Sequence, residues 1–413
     1  MEKNLLDKSN RIEIIDVLRG FSLLGIAMVH FTEQYYAGPT PEAMAKLTPH
    51  GIADQVVDVI TGLFIRGKFF TIFSFLFGLS FFIQLDRSDK PNSFFFRFAW
   101  RLIVLMGIGF VHSLHYRGDI LTIYAVLGFG LLLVYKLPDK ALLFVALFLV
   151  FDFPAFLTRV VQTFMESPLT PEMNQKDLQF YFDTLKHGKY LAILRANIPE
   201  IVTKFQFQVE FGRAYITLGL FFLGFYAGRK NFFSTWENQI PWIKKMCKIA
   251  GWMALGSVLF AAVFFGGTQI AKIEVPQTLQ FAVGGLTIDI FNCCIATLYV
   301  FGILLSFNKE KWKARWMNFY AVGRMGLTTY LTQTLFGFFI YFSAGFSLLN
   351  EIGAATALAI GLTVFLVQIF FSKWWLSRFQ YGPVEWLWRS LTYFKIQPML
   401  KSKRTTEGEI ISA

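Results

Sequence analysis

The chain has 413 residues, of which 55% are hydrophobic, 16% are charged and 50 are phenylalanine. Soluble proteins carry about a quarter charged residues, and a soluble fold would have to expose many of these apolar rings as large patches. Disordered chains are polar and poor in aromatic residues, and three cysteines are too few for a disulfide scaffold. The composition therefore excludes these classes and predicts a polytopic membrane protein.

The net charge of +12 fits the same class. In a soluble protein this charge would indicate nucleic-acid binding, whereas in a membrane protein Lys and Arg collect on the cytoplasmic loops. We expect the second explanation and no nucleic-acid partner. The first apolar segment continues at full length without a small-residue cleavage site, so no cleavable signal peptide is expected.

Ten apolar segments approach the length of about 20 residues with which a helix crosses the hydrocarbon layer. If the N-terminus is cytoplasmic, most Lys and Arg residues lie on the cytoplasmic side. The sequence therefore predicts an all-α bundle of ten transmembrane helices, N-in and C-in, as one domain over residues 1–413. The second segment is long enough to be tilted or broken near Gly62 and Gly67. The ten segments are 14–31, 56–85, 94–115, 120–135, 141–157, 211–227, 249–265, 281–307, 319–342 and 354–371.

Two stretches outside these segments have a pattern of their own. The loop 153–209 is predicted to be outside and contains QKDLQFYFDTLKHGKYLAIL, in which apolar residues recur at helical spacing beside charges. This pattern favours a helix on the membrane surface, and a lid over an outward-facing site is the alternative. Residues 372–413 mix Trp with Arg and Lys, which predicts a cytoplasmic interfacial helix and tail.

The first segment carries two ionisable residues, Arg19 and His30. Eleven helical positions make almost three full turns, so both side chains share one face and lie about 16 Å apart along the axis. Charges inside a membrane segment are costly and indicate function by default. The structural alternatives are that Arg19 anchors the helix at the interface and that His30 is a satisfied polar residue at the helix end.

More imidazoles follow at the same predicted outer level. His112 and His115 are neighbours on one helix face in HSLHYRGDIL, and His50 lies in the preceding outer loop. Histidine accepts and returns protons near neutral pH, and Asp119 is placed to orient one of these rings. The residues His30, His112, His115 and Asp119 would also suit zinc, but their spacing is loose and we expect no metal.

Basic side chains in other segments extend this pattern. Arg66 and Lys68 stand in an otherwise apolar run, where they would either clamp phosphates or pair with carboxylates such as Asp58. Arg324 lies in the ninth segment. The sequence has no G-x-x-x-x-G-K-[ST] phosphate loop, no H-E-x-x-H zinc motif and no G-x-S-x-G nucleophile elbow. ATP hydrolysis within the chain is therefore not expected.

Five stretches together resemble a known family. They are DVLRGFSLLGI, GKFFTIFSFLFG, RLIVLMGIGFVHSLHYRGDILTIYAVLG, GRMGLTTYLTQ and GPVEWLWR, and they run from the first segment to the tail. As a set they resemble the YeiB family of bacterial membrane proteins, whose domain of unknown function carries the number 418. The resemblance covers nearly the whole chain and implies a multi-pass protein of the bacterial plasma membrane.

The YeiB family looks related to transmembrane acyltransferases. These include the lysosomal heparan-alpha-glucosaminide N-acetyltransferase and acyltransferase family three, which take an acyl group from cytoplasmic acyl-CoA to an acceptor hydroxyl or amine across the membrane. The resemblance implies acyl-CoA, in the first place acetyl-CoA, as donor substrate. It leaves the extracytoplasmic acceptor open among a glycan, a lipid and a small molecule.

The same resemblance implies roles for particular residues. Acyltransferase family three has an Arg–x10–His pattern on its first helix, which Arg19 and His30 match. YeiB members commonly carry Asn at the position of His30, so His112 stays an alternative base. His50 corresponds loosely to the catalytic histidine of the lysosomal enzyme. The CoA phosphates are expected near Arg19, together with Lys68 or Arg324.

A different class of function stays open on the sequence alone. A transporter or permease for a small solute or lipid would use the buried charges as a proton relay, although no inverted repeat is evident. The third hypothesis is that the protein is a non-catalytic partner in an envelope-synthesis or antibiotic-resistance system. A membrane-lipid environment is common to all three, and a homodimer is compatible with the sequence.

Overall fold

The computed structural model describes residues 12–88, 91–165 and 174–401. These residues form helices and no β-strand, so the all-α prediction is confirmed. The α-helices of five or more residues are α1 (Glu13–Thr32), α2 (Ile52–Ile60), α3 (Lys68–Asp86), α4 (Pro91–Ser113), α5 (Leu121–Val134), α6 (Asp139–Val150), α7 (Phe153–Phe164), α8 (Gln175–His187), α9 (Tyr190–Glu210), α10 (Arg213–Arg229), α11 (Ile240–Ala261), α12 (Gln277–Phe307), α13 (Glu310–Trp316), α14 (Tyr320–Arg324), α15 (Gly326–Tyr341), α16 (Ala354–Arg378) and α17 (Pro383–Tyr393).

Within the described part of the chain, six helices are long and apolar enough to cross a membrane. A seventh span results if α6 and α7, which meet at an angle of 49°, are counted as one bent crossing. Each of these seven coincides with a segment predicted from the sequence. The six long helices are Glu13–Thr32, Ile52–Asp86, Ser93–Ser113, Trp236–Ile270, Gln277–Phe307 and Ala354–Arg378.

The remaining three predicted spans are shorter helices. They are α5, α10 and α15, with 14, 17 and 16 residues. At 1.5 Å per residue these helices are about 21–26 Å long, which is less than the hydrocarbon thickness of about 30 Å. Length and composition therefore support six or seven spans. The predicted total of ten is reached only if these three helices also cross the membrane.

The second span is broken where its glycines indicated. A π-helical turn at Thr61–Ile65 follows α2, and Gly67 then takes a left-handed conformation with φ of +85° before α3 begins at Lys68. A Cβ atom on Gly67 would lie 2.5 Å from the side-chain amide nitrogen of Asn292. Glycine is required there both by the backbone angle and by the close neighbour.

Helices α3 and α10 approach each other at the level of their backbones. A Cβ atom on Gly78 would lie 1.9 Å from the carbonyl oxygen of Phe221, and one on Gly224 would lie 1.9 Å from that of Phe75. Small residues permit such contacts between membrane helices, where packing replaces the hydrophobic effect. This contact places α10 in the interior of the bundle.

The stretch 153–209, predicted as an outer amphipathic loop, contains α7, α8 and α9, and its residues 166–173 lie outside the described residues. The apolar face of α8 is buried, and its residues Tyr181 and Phe182 pack against Tyr36, with ring centroids 5.8 and 5.7 Å apart. This face therefore contacts protein. In the predicted tail, α17 follows α16, and residues 402–413 lie outside the described range.

We predict that Gly224→Ala destabilises the bundle by about 1–3 kcal/mol, because the added methyl group would overlap the backbone of Phe75. Gly251→Ala in α11 is the matched control, since a Cβ atom there meets nothing within 4 Å. Helix propensity alone would make the control neutral or slightly more stable. Thermal unfolding of the purified proteins in detergent measures both, and equal unfolding temperatures would contradict the packing argument.

Candidate active site

A cavity of about 3250 Å³ lies inside the bundle, and we call it the central cavity. Both Arg19 and His30 line it, as expected for two residues on one face of α1. Because these residues are about 16 Å apart along the helix, the cavity extends over much of the length of α1. We refer to its two ends as the Arg19 end and the His30 end.

At the Arg19 end, hydrogen bonds hold the guanidinium in place. Its Nη1 donates to Oδ1 of Asp16 at 2.6 Å and its Nη2 donates to Oγ of Ser80 at 3.0 Å. Arg324 also lines this end, and its Nη2 donates to the carbonyl oxygen of Gln380 at 3.0 Å.

The glycines on both sides of Arg324 contact α1. A Cβ atom on Gly323 would lie 1.8 Å from the carbonyl oxygen of Asp16, and one on Gly326 would lie 3.2 Å from Cδ of Arg19. Two of the residues predicted to bind phosphates, Arg19 and Arg324, therefore lie at the same level of the cavity.

Glu385 of α17 lines the same end but is engaged with the start of α15. Its Oε1 accepts hydrogen bonds from the backbone N–H groups of Leu327 at 2.6 Å and Thr328 at 3.0 Å, and its Oε2 accepts one from the Thr328 hydroxyl at 2.5 Å. A carboxylate in this position satisfies unpaired N–H groups of the first helical turn. Burial nevertheless raises the pKa of Glu385, against the effect of these hydrogen bonds.

Lys68 does not join Arg19. Ser80, the partner of Arg19, lies twelve residues further along α3, which corresponds to about 18 Å. The Nζ atom of Lys68 donates to the carbonyl oxygen of Gly62 at 3.0 Å and lies 5.0 Å from the ring centroid of Phe291. Lys68 is thus a buried residue of the cavity wall, away from the Arg19 end.

At the His30 end, the imidazole of His30 is surrounded by tyrosines. Its ring centroid lies 5.0 Å from that of Tyr116, 5.4 Å from Tyr35 and 6.0 Å from Tyr330. The Nδ1 atom is buried and has no hydrogen-bond partner among the described residues. His30 therefore combines contact with the cavity and an uncommitted ring nitrogen.

A pair of opposite charges lies just beyond α1 at this end. Nη2 of Arg66 is 3.0 Å from Oε1 of Glu33, and both residues line the central cavity. Burial raises the pKa of Glu33, and the charges of Arg66 and Arg213 counteract this effect. Arg66 is therefore engaged with a carboxylate, which is one of the two roles that the sequence left open for the Arg66 and Lys68 pair.

His112 is held from both sides. Its Nδ1 lies 2.7 Å from Oδ1 of Asp119, and its Nε2 lies 2.8 Å from Oγ1 of Thr334. All three residues are buried. The expected contact between Asp119 and one imidazole is therefore present, and the ring that it orients is that of His112.

Asp119 receives several further hydrogen bonds. Its Oδ2 accepts from the N–H and the hydroxyl of Thr122 at 3.0 and 2.7 Å and from Nζ of Lys204 at 3.2 Å. Burial raises the pKa of Asp119, but the hydrogen bond from His112, its charge and that of Lys204 outweigh burial and hold the pKa well below its usual range. Burial lowers the pKa of Lys204, and Asp119 opposes that shift.

The ionised Asp119 determines which atom of His112 donates to it. An ionised carboxylate can only accept hydrogen bonds, so Nδ1 of His112 carries the proton that it donates. The Nε2 atom of His112 shares a hydrogen bond with the hydroxyl of Thr334, in which either atom can be the donor. Thr334, His112 and Asp119 thus form a continuous hydrogen-bond chain, whereas Nδ1 of His30 has no hydrogen-bond partner among the described residues.

The other candidate histidines lie elsewhere. His50 is exposed, its Nδ1 is 3.8 Å from Oδ2 of Asp58, and it does not line the central cavity. Nε2 of His115 is hydrogen-bonded to the hydroxyl of Tyr190 at 2.9 Å. Within the described residues, no three His, Cys, Asp or Glu side chains are grouped as metal ligands would be.

Several residues of the site were missed at the level of the sequence. Tyr116, Arg101 and Arg389 line the central cavity. They stand inside the family-like stretches, and their polar groups in otherwise apolar surroundings were the available signal. Thr334 follows directly after one such stretch. Lys204 was assigned to an outer loop, and only the position of α9 brings it to Asp119.

The fold and the cavity define a class: an α-helical protein whose long helices are apolar enough to cross a membrane and whose interior cavity carries charged side chains. Residues 227–395 match the family described as "Protein of unknown function (DUF418)". Over 96% of its length the chain is 29% identical to "Uncharacterized protein YxaH" of Bacillus subtilis (strain 168), of which it covers 98%. It is 27% identical over 92% of its length to "Uncharacterized protein YeiB" of Escherichia coli (strain K12), of which it covers 95%. The predicted resemblance to the YeiB family is thereby confirmed, and no solved structure matches the chain.

We predict that Asp119→Asn lowers the free energy of unfolding by about 3–5 kcal/mol, because it leaves the buried Lys204 without its counter-charge. Asp139→Asn is the matched control, since Asp139 pairs with Lys230 at 2.6 Å on the surface, where ion pairs contribute little. Unfolding of both variants in detergent tests this prediction, and losses of similar size would refute it.

The same carboxylate predicts a pH dependence. A folded-state pKa below the unfolded value contributes stability that is present above the ordinary carboxyl pKa of 3.8 and is lost as the pH falls below it. We expect wild-type stability to decline in this acidic range and Asp119→Asn to decline less steeply. Unfolding temperatures measured as a function of pH check this expectation, and parallel curves would contradict it.

Proposed function

We propose that this protein is an integral membrane acyltransferase of the bacterial plasma membrane. It transfers an acyl group, in the first place acetyl, from cytoplasmic acyl-CoA to an extracytoplasmic acceptor hydroxyl or amine. The observation that carries the proposal is the central cavity, which is lined by arginines at one end and by His30, with its uncommitted nitrogen, at the other.

The proposal requires a multi-pass topology with the Arg19 end toward the cytoplasm. The excess of Lys and Arg in the segments on that side supports an N-in, C-in orientation. Ten crossings follow if α5, α10 and α15 also span the layer. Their shortness is compatible with crossing, because helix ends that are enclosed by protein or that line a cavity need not reach the lipid surface.

The proposed base is His30. The acceptor O–H or N–H gives its proton to the free imidazole nitrogen while its heteroatom attacks the thioester carbonyl carbon. The new bond to the acceptor forms, the C–S bond breaks, and the CoA thiolate takes the proton back from the imidazolium. General base catalysis of this kind contributes about 10²–10⁴-fold, and alignment of both substrates in one cavity adds to it.

His112 is the weaker candidate for the base. Both of its ring nitrogens are engaged, one by Asp119 and one by Thr334, and it does not line the central cavity. We assign His112 and Asp119 the role of positioning residues, because His112 packs against Tyr330, which also contacts His30. Arg19 and Arg324 would attract the anionic donor at the opposite end.

The transporter alternative rests on a different group of charges. Both carboxylate oxygens of the buried Asp152 lack a hydrogen-bond partner among the described residues, and the nearest cation is Nη1 of Arg159 at 3.8 Å. Asp289 and Arg213 line the cavity nearby. Buried, incompletely paired carboxylates are a feature of proton relays, so solute uptake is the competing function.

We predict that the purified protein binds acetyl-CoA and, in proteoliposomes supplied with a panel of sugar, amine and phospholipid acceptors, releases CoA thiol. His30→Ala should keep acetyl-CoA binding and lose at least 10²-fold of the transfer rate, because it removes the general base. His115→Ala is the control and should keep both, since its ring is bound to Tyr190.

Three results would count against this scheme. A folded wild-type protein that does not bind acetyl-CoA would overturn the acyltransferase proposal. Full transfer by His30→Ala would remove His30 from the mechanism and return the role to His112. Proton-coupled solute uptake that needs no CoA, and that Asp152→Asn abolishes, would establish the transporter instead.

A further inference from the structure

A second, smaller cavity of about 530 Å³ adjoins the Arg19 end of the central cavity. The two cavities share lining residues, among them Phe98, Arg101, Arg389 and Tyr393. The smaller cavity lies between α4 and α17, and Arg97 also lines it. A ligand seated there can therefore extend from the smaller cavity into the central one. Its volume is in the range of ordinary small-molecule sites, about 300–1,000 Å³.

Aromatic rings hold three of the four guanidinium groups that line the smaller cavity, those of Arg97, Arg101 and Arg389. The guanidinium carbon of Arg101 lies 3.7 Å from the ring centroid of Trp388, and those of Arg97 and Arg389 lie 5.1 and 4.9 Å from the ring centroid of Tyr393. Stacking on an aromatic face orients a guanidinium and leaves its N–H groups available for a ligand. The three positive charges thus surround one pair of rings.

Among the described residues, no carboxylate neutralises these charges. No carboxylate lines the smaller cavity within the described residues, and there the side chains of Arg97, Arg101 and Arg389 form neither ion pairs nor hydrogen bonds. The Nε atom of Arg389 is buried and has no hydrogen-bond partner in the described part of the chain. Glu385, one turn before Arg389, is occupied by the backbone at the start of α15.

The other arginines of this region differ in this respect. Arg19 donates to Asp16 and Ser80, and Arg324 donates to the carbonyl oxygen of Gln380. Like charges that lie close together repel one another, and a multiply charged anion between them removes this cost. Guanidinium groups suit phosphate in particular, because their N–H groups match its oxygens in bidentate geometry.

We infer that Arg97, Arg101 and Arg389 form a phosphate-binding site at the entrance to the central cavity. Its occupant is the phosphorylated nucleotide end of the acyl donor, whose acyl arm then runs past Arg19 toward His30. This choice of occupant rests on the proposed function, whereas the preference for phosphate does not. The headgroup of an anionic phospholipid carries the same chemistry and is the second source.

Calorimetric titration of the full-length protein in detergent tests the site, with pyrophosphate and adenosine 3′,5′-bisphosphate as probes. We expect the wild type to bind both, more weakly at high ionic strength because salt screens exposed charges. Arg101→Gln/Arg389→Gln should weaken binding at least tenfold. The affinity of the double variant Arg101→Lys/Arg389→Lys should lie between those of the wild type and the double Gln variant, since lysine keeps the charge and loses the bidentate geometry.

Arg315→Gln is the matched control. Arg315 lies 4.7 Å from the ring centroid of Trp312, so it stacks on a tryptophan as Arg101 does, but it lines neither cavity. We expect its affinity for both probes to equal that of the wild type. Unfolding temperatures of all variants establish that they are folded. No binding of either probe by the folded wild type, or equal affinities in the wild type and the double Gln variant, would overturn the site.

Nanodiscs distinguish the two sources of phosphate. If the donor occupies the site, the protein binds CoA more tightly than dephospho-CoA. Its affinity for CoA is then equal in zwitterionic and anionic nanodiscs. If a lipid headgroup occupies it, anionic lipid competes with the bisphosphate in the wild type, and the double Gln variant loses this competition. Both results support a phosphate site, and only the first supports the nucleotide as its occupant.

Failure of this inference can be separated from failure of the acyltransferase proposal. If the bisphosphate binds and the double Gln variant loses it, but no acceptor is acylated, the phosphate site stands without the acyl transfer. If acetyl-CoA is bound and transferred equally well by the wild type and the double Gln variant, the acyltransferase stands and the site is wrong.

Discussion

An ionised carboxylate inside an apolar bundle must be surrounded by donors and an opposite charge, and Asp119 imposes this requirement on four helices. Its partners are His112 at the end of α4, the first N–H groups of α5 and Lys204 of α9, while His112 in turn binds Thr334 of α15. Removal of any partner would leave a buried polar group unsatisfied. The helix ends around the His30 end of the central cavity are therefore held together by the hydrogen bonds and ion pair of Asp119.

The balance of charges is different at the Arg19 end of the central cavity. There the cations outnumber the carboxylates within the described residues, and aromatic rings rather than acids hold Arg97, Arg101 and Arg389. A cavity with a satisfied network at one end and unneutralised guanidinium groups at the other is polarised along α1. That polarity would draw an anionic substrate into one end and leave the free nitrogen of His30 to act at the other.

Residue patterns predicted the helices and part of the candidate site, but not the position of every site residue. The hydrophobic segments anticipated the helices, and the eleven-residue spacing of Arg19 and His30 anticipated that both would line one cavity. The resemblance implied that Lys68 would lie with Arg19, but Lys68 is on another helix of opposite direction and so at another level. The contact between Lys204 and Asp119 could not be predicted either. The two residues are 85 positions apart in the chain, and only the packing of α9 brings them together.

The sequence by itself determined that this is an all-α protein with segments long and apolar enough to cross a membrane, because apolar composition and helical periodicity are local properties. It also determined the resemblance to the YeiB proteins, which depends on the order of short stretches. Only the tertiary structure decided which ring Asp119 orients, which imidazole keeps a free nitrogen and which arginines stay without counter-charges. These properties depend on distances of about 3 Å between side chains of different helices, and no local pattern specifies them.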